Sequence, residues 1–487
     1  MNNDRDVVVA FHTVRENDLI TPFVYAGELK QVELAYFEYR ESAGVGAWVH
    51  IDTGILGSID WSPLSIGTVS LVRCERPDVV AVDDKFFVVW TRRYDRDTPG
   101  VGDPGDNEPA VLECAWVGKN AGSTGLDVYA DPAGNDGLGY SLDFHIGGPT
   151  AFEIRECAGV ADAVVLSDPL HPNHPYNVAV VYPHQKEFAR DTGNKRKFDL
   201  RVVTCSLDTS QPTPVISKTT YNPIALDLAF NGDPAPGGIP SPGLVLPDLA
   251  PSKEDNAFWL AYEEQVEREI TPSSTGVPED VAEGKIRLKY MTLSGGQWSP
   301  EATKTFKTPG GGPNYNWRRR PMISSYPDEP NHHLVSISYG TANSNPDIGD
   351  DSTNIFYEQW EYLNGGLSSP PSLPSPLTVD WPNLDTAWDD RPAPLMGRAS
   401  PFIRRCYATR IDDPAFPQRR DLFEFDPVYP STLKIIDSDT DVISSVSRPA
   451  AAFLHFPGAV NPDYFAVTWE KRVDPPDNIL RVFLTIQ

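Results

Sequence analysis

The sequence predicts an all-β protein, and three observations carry that reading. The first is that 47 prolines and 36 glycines among 487 residues suit a chain that turns about every ten residues, because Pro fixes φ and Gly supplies positive φ. The second is that several runs alternate large apolar with polar residues at period two, as a half-buried antiparallel strand requires. The third is a recurring theme, a short apolar run that ends in an aromatic residue. It reads FFVVW ending at Trp90, NVAVVY at Tyr182, FWLAY at Tyr262, LVSISY at Tyr339 and FAVTW at Trp469.

The strand ahead of this run is marked in three places by an Arg-Pro pair: Arg76-Pro77 before DVVAV, Arg320-Pro321 before MISSY and Arg448-Pro449 before AAAFLHF. Each pair is expected to open its strand, where Pro costs no ladder hydrogen bond. The aromatic-ended run is the most continuously apolar and suits an inner strand covered on both faces. Polar loops follow it at 93–109, 184–197, 264–284 and 340–353. Beyond them lies a third run: AVLECAW, FDLRVVTCSL, KIRLKYMTLS, NIFYEQWEYL and NILRVFLTI. A fourth, more polar segment is clearest in GGQWSPEATKTF at 295–306 and GAWVHIDTG at 46–54, and suits an outer edge. The unit is a four-stranded antiparallel meander.

Repeated meanders of this kind are the blades of a β-propeller, which stacks small sheets radially so that each buries its faces against its neighbours. The sequence therefore predicts a single β-propeller domain over 1–487, with six or seven blades near 5–55, 70–135, 150–222, 243–307, 318–380, 395–440 and 446–487. The unit at 395–440 (PFIRRCYATRI, RRDLFEFDPV, STLKIID) fits the theme least, and without it the count is six. The last unit stops after its third strand. The first opens on VVVAFHT without an obvious first strand. N- and C-terminal strands sharing one blade would close the ring, and two separate incomplete blades are the alternative. The stretches FNGDPAPGGIPSPG at 230–243 and SSPPSLPSPL at 368–377 fall between units and read as connections between blades.

A formal charge of −27 repels phosphate backbones and anionic lipid, so nucleic acid is not an expected partner. No run approaches the ~18 apolar residues of a membrane span, and no membrane insertion is expected. The start, MNNDRDVVVAFHT, lacks the charged and long apolar regions of a signal peptide, which places synthesis in the cytoplasm. The five cysteines, Cys74, Cys114, Cys157, Cys205 and Cys406, show no C-x-x-C spacing and are expected to be reduced thiols.

An Arg-Pro first strand, an aromatic-ended second strand and the outer hairpin KYMTLSGGQWSPE together resemble the sialidase-like propellers and the carbohydrate-binding propellers related to them. Of the sialidase Asp box, S-x-D-x-G-x-x-W, the tail survives in Gly295-Gly296-Gln297-Trp298 and more loosely in Gly44-Val45-Gly46-Ala47-Trp48. No complete box exists. The lone Trp388-Asp389 does not recur in register as a WD repeat would. The resemblance implies three arginines clamping a carboxylate, a Tyr–Glu nucleophile pair and an acidic proton donor. Arg76, Arg320 and Arg448 offer a trio, but equivalent positions in a repeat are spread around a ring, so a structural role is expected for them. Glu263-Glu264, directly after a second strand, are the candidates for inward carboxylates of a propeller glycosidase.

His171-Pro172-Asn173-His174 has an H-x-x-H spacing, but Pro prevents a helix that would set both imidazoles on one face, and a third ligand is missing nearby. Asn345-Pro346-Asp347-Ile348-Gly349-Asp350-Asp351 clusters carboxylates around a Gly turn and is the candidate calcium loop. Asp103-Pro104-Gly105-Asp106 is a turn signal. No phosphate-binding loop, G-x-S-x-G elbow or Cys–His nucleophile is present. The sequence thus assigns no catalytic residue, no metal ligand and no cofactor beyond that calcium candidate. It leaves the binding residues unknown.

These observations favour a non-enzymatic binding or structural module, with recognition residues on the polar loops. An acidic, Pro-rich chain with reduced cysteines and no secretion signal suits a virion component, such as a phage tail, baseplate or capsid-decorating protein. Its expected partners are other structural proteins of the assembly and a cell-surface glycan. A glycoside hydrolase and an intracellular interaction propeller are the alternatives.

Overall fold

A computed structural model describes residues 5–15, 29–42, 45–57, 71–95, 110–120, 125–130, 139–143, 157–158, 161–166, 176–189, 195–230, 247–252, 254–270, 279–306, 315–325, 333–344, 353–369, 377–379, 393–396, 404–411, 420–426, 429–437, 446–455, 463–473 and 479–486. Among them every regular element is a β-strand, and no helix is long and apolar enough to cross a membrane. The protein is all-β.

Among the described residues, hydrogen bonds join the strands into six sheets of eight, six, four, five, four and three strands in chain order. The eight-stranded sheet divides at a single parallel contact, Lys30 opposite Arg73. On either side of it the pairing is antiparallel. Divided there, the described strands form seven antiparallel meanders, within 7–57, 71–143, 157–230, 248–306, 315–379, 393–437 and 446–486. The chain gathers into two compact units, Met1–Pro247 with Gly295–Trp298, and Asp248–Ser294 with Ser299–Gln487.

The aromatic theme lands at one structural position. Trp90 lies on Lys85–Asp95, Tyr182 on Tyr176–Ala189, Tyr262 on Ala257–Ile270, Tyr339 on His333–Ser344 and Trp469 on Asp463–Val473, each the second strand of its meander, and all five are buried. The register agrees as well. The residue before the aromatic faces the first strand at Asp78, Asp162, Asp248, Met322 and Ala450, through Val89, Val181, Ala261, Ser338 and Thr468. The sixth meander, which fits the theme least in sequence, obeys the same rule: Cys406 faces Pro394 and the next residue, Tyr407, is fully buried.

Packing follows from this register. Trp90 joins Val32, Leu34 and Tyr36 of the first meander, and Tyr182 joins Phe87, Leu112 and Trp116 of the second. Tyr339 joins Trp259 and Tyr290 of the fourth. A second strand covered on both faces must be apolar throughout, and Phe86 to Trp90 are all buried. Of the exposed large apolar residues, Val49, Val128, Val215, Ile435 and Val482 lie on outermost strands, while Leu363 ends a third strand beside its turn. First strands are tied together by carboxylates: Asp78 Oδ2 accepts from the Ala163 N–H, and Asp248 Oδ2 from the Ile323 N–H.

Four expectations are corrected. The Arg-Pro pairs do not open their strands, because Leu71–Val82, Tyr315–Ser325 and Val446–His455 all begin upstream of them. Instead the register shifts between Glu75 and Asp78, Arg319 and Met322, and Ser447 and Ala450. Each Pro sits in a β-bulge, where the extra residue has no ladder bond to donate. The first meander does have a first strand, Val7–Arg15, paired with Leu29–Ser42. GAWVHIDTG belongs to its third strand, Val45–Gly57, rather than to a fourth. Finally, much of the polar stretches at 184–197 and 264–284 is strand: Tyr176–Ala189 pairs with Lys195–Asp208, and Ala257–Ile270 with Glu279–Ser294.

The hairpin turns follow backbone chemistry. Gly295 and Gly296 have φ of 60° and 77°, and Asn364 and Gly365 have φ of 52° and 79°, as two-residue type I′ turns require. The surviving tail of the Asp box is thus the turn between the third and fourth strands of its meander.

Candidate functional site

Chemistry in the described chain gathers around the second-strand aromatics. In the second meander the Trp90 indole N–H donates to Glu113 Oε2 at 3.0 Å, and Arg92 Nε donates to the same oxygen at 3.0 Å. Glu113 stands opposite Trp90 on the third strand, and Arg92 follows Trp90 by two residues, so period-two geometry puts all three on one face. All three are buried. The Gly139 N–H also reaches the carboxylate. A Cβ at Gly139 would lie 2.4 Å from Trp90 Cζ2, so only glycine lets the indole seat. Burial raises the Glu113 pKa above the usual glutamate value, outweighing the Arg92 charge and the hydrogen bonds from Trp90, Arg92 and Gly139.

In the third meander the carboxylate comes from the meander before it. Asp143, the last residue of Tyr140–Asp143, accepts a hydrogen bond from the Tyr182 phenol. Its Oδ2 lies 3.2 Å from His184 Nδ1 and 3.9 Å from Arg201 Nη1. Tyr182 and His184 share a face of the second strand, and Arg201 stands opposite Tyr182 on the third. His184 is fully buried, while Asp143 and Arg201 keep some exposure. Burial first, and then the Asp143 charge, hold the Tyr182 phenol well above its ordinary pKa. It stays a donor.

The same pairing recurs. Tyr339 donates to Glu358 Oε1 at 2.6 Å, and Trp360 Nε1 donates to the other oxygen at 3.1 Å. Tyr407 donates to Glu424 Oε2 at 2.8 Å, and Trp469 Nε1 to Asp437 Oδ2 at 2.8 Å. Beside Tyr262 the position is an ion pair between Glu264 and Arg287, with the Lys289 ammonium 5.1 Å from the Tyr262 ring centroid. Burial, followed by the Arg287 charge, lowers the Lys289 pKa, and the Glu264 charge raises it.

Each network centres on one carboxylate that already accepts hydrogen bonds or pairs with a cation inside the protein. Glycoside hydrolysis needs two carboxyl groups facing a shared pocket, about 5–5.5 Å apart for retention or about 6.5–9.5 Å for inversion. Glu263 and Glu264 do not supply such a pair. They are consecutive on one strand, opposite Ile286 and Lys285, so they point to opposite faces. Glu263 is buried, and Glu264 is held by Arg287.

Arg76, Arg320 and Arg448 are placed by backbone in three separate bulges, and their side chains lie outside the described residues. His171 and His174, the candidate calcium loop 345–351, Asp103 to Asp106 and Trp388-Asp389 also lie outside them. Among the described residues no group of three or more His, Cys, Asp or Glu gathers as a metal site needs. Sequence reasoning missed the partners Glu113, Asp143, His184, Arg201, Glu358, Glu424 and Asp437. A usable signal existed for Glu113, the one charged residue inside the apolar third-strand run AVLECAW.

The fold is that of an all-β protein of repeated antiparallel meanders, with aromatic–carboxylate contacts in successive repeats. No protein-family model matches the chain, and no curated protein matches it. Among solved structures it is similar to a Trypanosoma rangeli sialidase in complex with sialic acid, at 8% identity and a TM-score of 0.39, over 98% of this chain and 58% of that one. The chain thus spans less than two thirds of that sialidase. It is also similar to a mutant α-L-arabinofuranosidase from Fusarium graminearum in complex with an iminosugar inhibitor, at 11% identity and a TM-score of 0.36, over 85% of this chain and 92% of that one. Both likenesses are distant.

Proposed function

We propose that the meanders are the blades of one β-propeller and that the protein is a binding and structural module rather than an enzyme. One observation carries this reading: the second-strand aromatics recur at one register, and the carboxylates beside them are taken up by internal contacts whichever strand supplies them. Contacts that repeat with the fold are building elements, whereas a catalytic group departs from the repeat to meet a unique set of partners. Fold by itself does not choose a function.

The setting we propose is a particle such as a virion, where the chain packs against other structural proteins and engages a surface glycan. An acidic, Pro-rich chain and the free thiols of Cys114 and Cys205 suit a protein that folds under reducing conditions and works outside the cell. The segments joining second to third strands are the proposed recognition surface, because connections carry binding residues on a rigid scaffold.

The test is to incubate the purified protein with aryl-glycoside and sialoside panels and, separately, with a glycan array. The expected result is no released product, and glycan retention that is lost when the segments at 96–109 or 271–278 are replaced by short turns. Product release that disappears when one carboxylate is replaced would make the protein a glycoside hydrolase instead.

A further inference from the structure

We propose that Cys114 and Cys205 are a latent oxidative staple, a disulfide that a hydroperoxide installs between the second and third meanders. Cys114 lies on Ala110–Lys119 opposite Val89, and Cys205 on Lys195–Asp208 opposite Val178. Their sulfurs face each other at 4.0 Å across the packed faces of the two meanders. Both are free thiols and fully buried. A disulfide needs the sulfurs at about 2.05 Å, so the two side chains must draw closer for the bond to form.

The chemistry balances with a hydroperoxide as oxidant. One cysteine, as its thiolate, attacks a peroxide oxygen; the O–O bond breaks, leaving a sulfenic acid and a hydroxide that takes up the thiol proton as water. The second thiol then attacks the sulfenic sulfur; the S–S bond forms, the S–O bond breaks, and hydroxide leaves with the second thiol proton as water. Two thiols are oxidised to one disulfide, and hydrogen peroxide is reduced to two waters.

The same surroundings keep the staple latent. Phe87, Leu112, Trp116, Val180 and Val203 are among the buried side chains of this face, and burial holds the Cys114 thiol well above its ordinary pKa, with Cys205 and Glu113 adding to the rise. Little thiolate forms, so oxidation waits on local opening of the face. Once formed, the bond joins residues 91 apart in sequence and restricts the unfolded chain accordingly.

The experiment treats full-length protein with hydrogen peroxide in urea below its unfolding transition, with hydrogen exchange confirming that the two strands open. It then blocks remaining thiols and maps peptides without reduction. The expected result is a peptide linking Cys114 to Cys205, its disappearance after dithiothreitol, and its absence from Cys205→Ser. Two blocked thiols at 114 and 205 after such opening, sulfinic acid at either one without a linked peptide, or a link from either to Cys74, Cys157 or Cys406 would each overturn the proposal.

Discussion

The sites around Trp90 and Tyr182 share a register and a depth of burial, yet they take their carboxylates from different places. Glu113 belongs to the third strand of the same meander as Trp90, whereas Asp143 belongs to the meander before Tyr182. The first contact closes a hairpin, and the second ties two meanders together. Tyr339 and Tyr407, with Glu358 and Glu424, follow the Trp90 arrangement. Trp469, with Asp437, follows the Tyr182 arrangement. The repeat therefore fixes the aromatic and its donor atom, while the source of the acceptor is free to vary. What each position requires is a carboxylate within reach of a buried N–H or O–H, because an unpaired buried donor costs about 1–3 kcal/mol.

The largest effect should come from Trp90→Ala, which removes both the packing and the indole donor. A loss of about 3–5 kcal/mol is expected, as for large aromatic residues in packed cores, read as a fall in the urea midpoint. A loss near that of an exposed residue would break the comparison at its stronger end. Glu113→Gln should cost about 1.5–3 kcal/mol through the hydrogen bond it accepts from the Arg92 cation, and this cost should depend on pH. Because burial raises the folded-state pKa of Glu113, the folded protein binds the proton more tightly than the unfolded chain. Its contribution is full below the unfolded glutamate value of about 4.3 and is lost as pH rises through the raised folded value. The penalty of the Gln variant should therefore shrink from pH 4 upward, and a growing penalty would contradict the assigned shift.

Gly139→Ala should cost about 1–3 kcal/mol by overpacking, since the added methyl meets both the Trp90 ring and the Cys114 carbonyl oxygen. Thermal unfolding measures it, and combining it with Trp90→Ala should recover most of the loss. Tyr182→Phe should be mildest, about 1 kcal/mol for one phenolic hydrogen bond, because Asp143 keeps His184 and Arg201 as neighbours. If Tyr182→Phe proved worse than Trp90→Ala, the contact between meanders would outrank the contact within one.

Much of this arrangement was legible in the chain, for local reasons. A strand covered on both faces must be apolar, so FFVVW, NVAVVY and FAVTW announce themselves. Tyr407 did not, because its strand, Arg404–Ile411, is rich in arginine and takes its apolar partners from other strands, Leu422, Phe465 and Val467. The Arg-Pro pairs were visible but misplaced within their strands, since sequence marks a missing donor without showing whether a strand end or a bulge accommodates it. The carboxylate partners were the least legible. Asp143 and Asp437 stand 39 and 32 positions before their aromatics, and one acidic residue among 68 carries no mark of its partner.

Hydrogen exchange read by mass spectrometry tests the central claim most directly, that one aromatic-anchored second strand organises every meander from the second to the seventh. The amides of Phe86–Trp90, Val178–Tyr182, Phe258–Tyr262, Val335–Tyr339, Cys406–Tyr407 and Phe465–Trp469 should be the slowest to exchange within their own meanders. A meander whose second strand exchanges as fast as its outer strand, while the rest of the protein stays protected, would contradict the account.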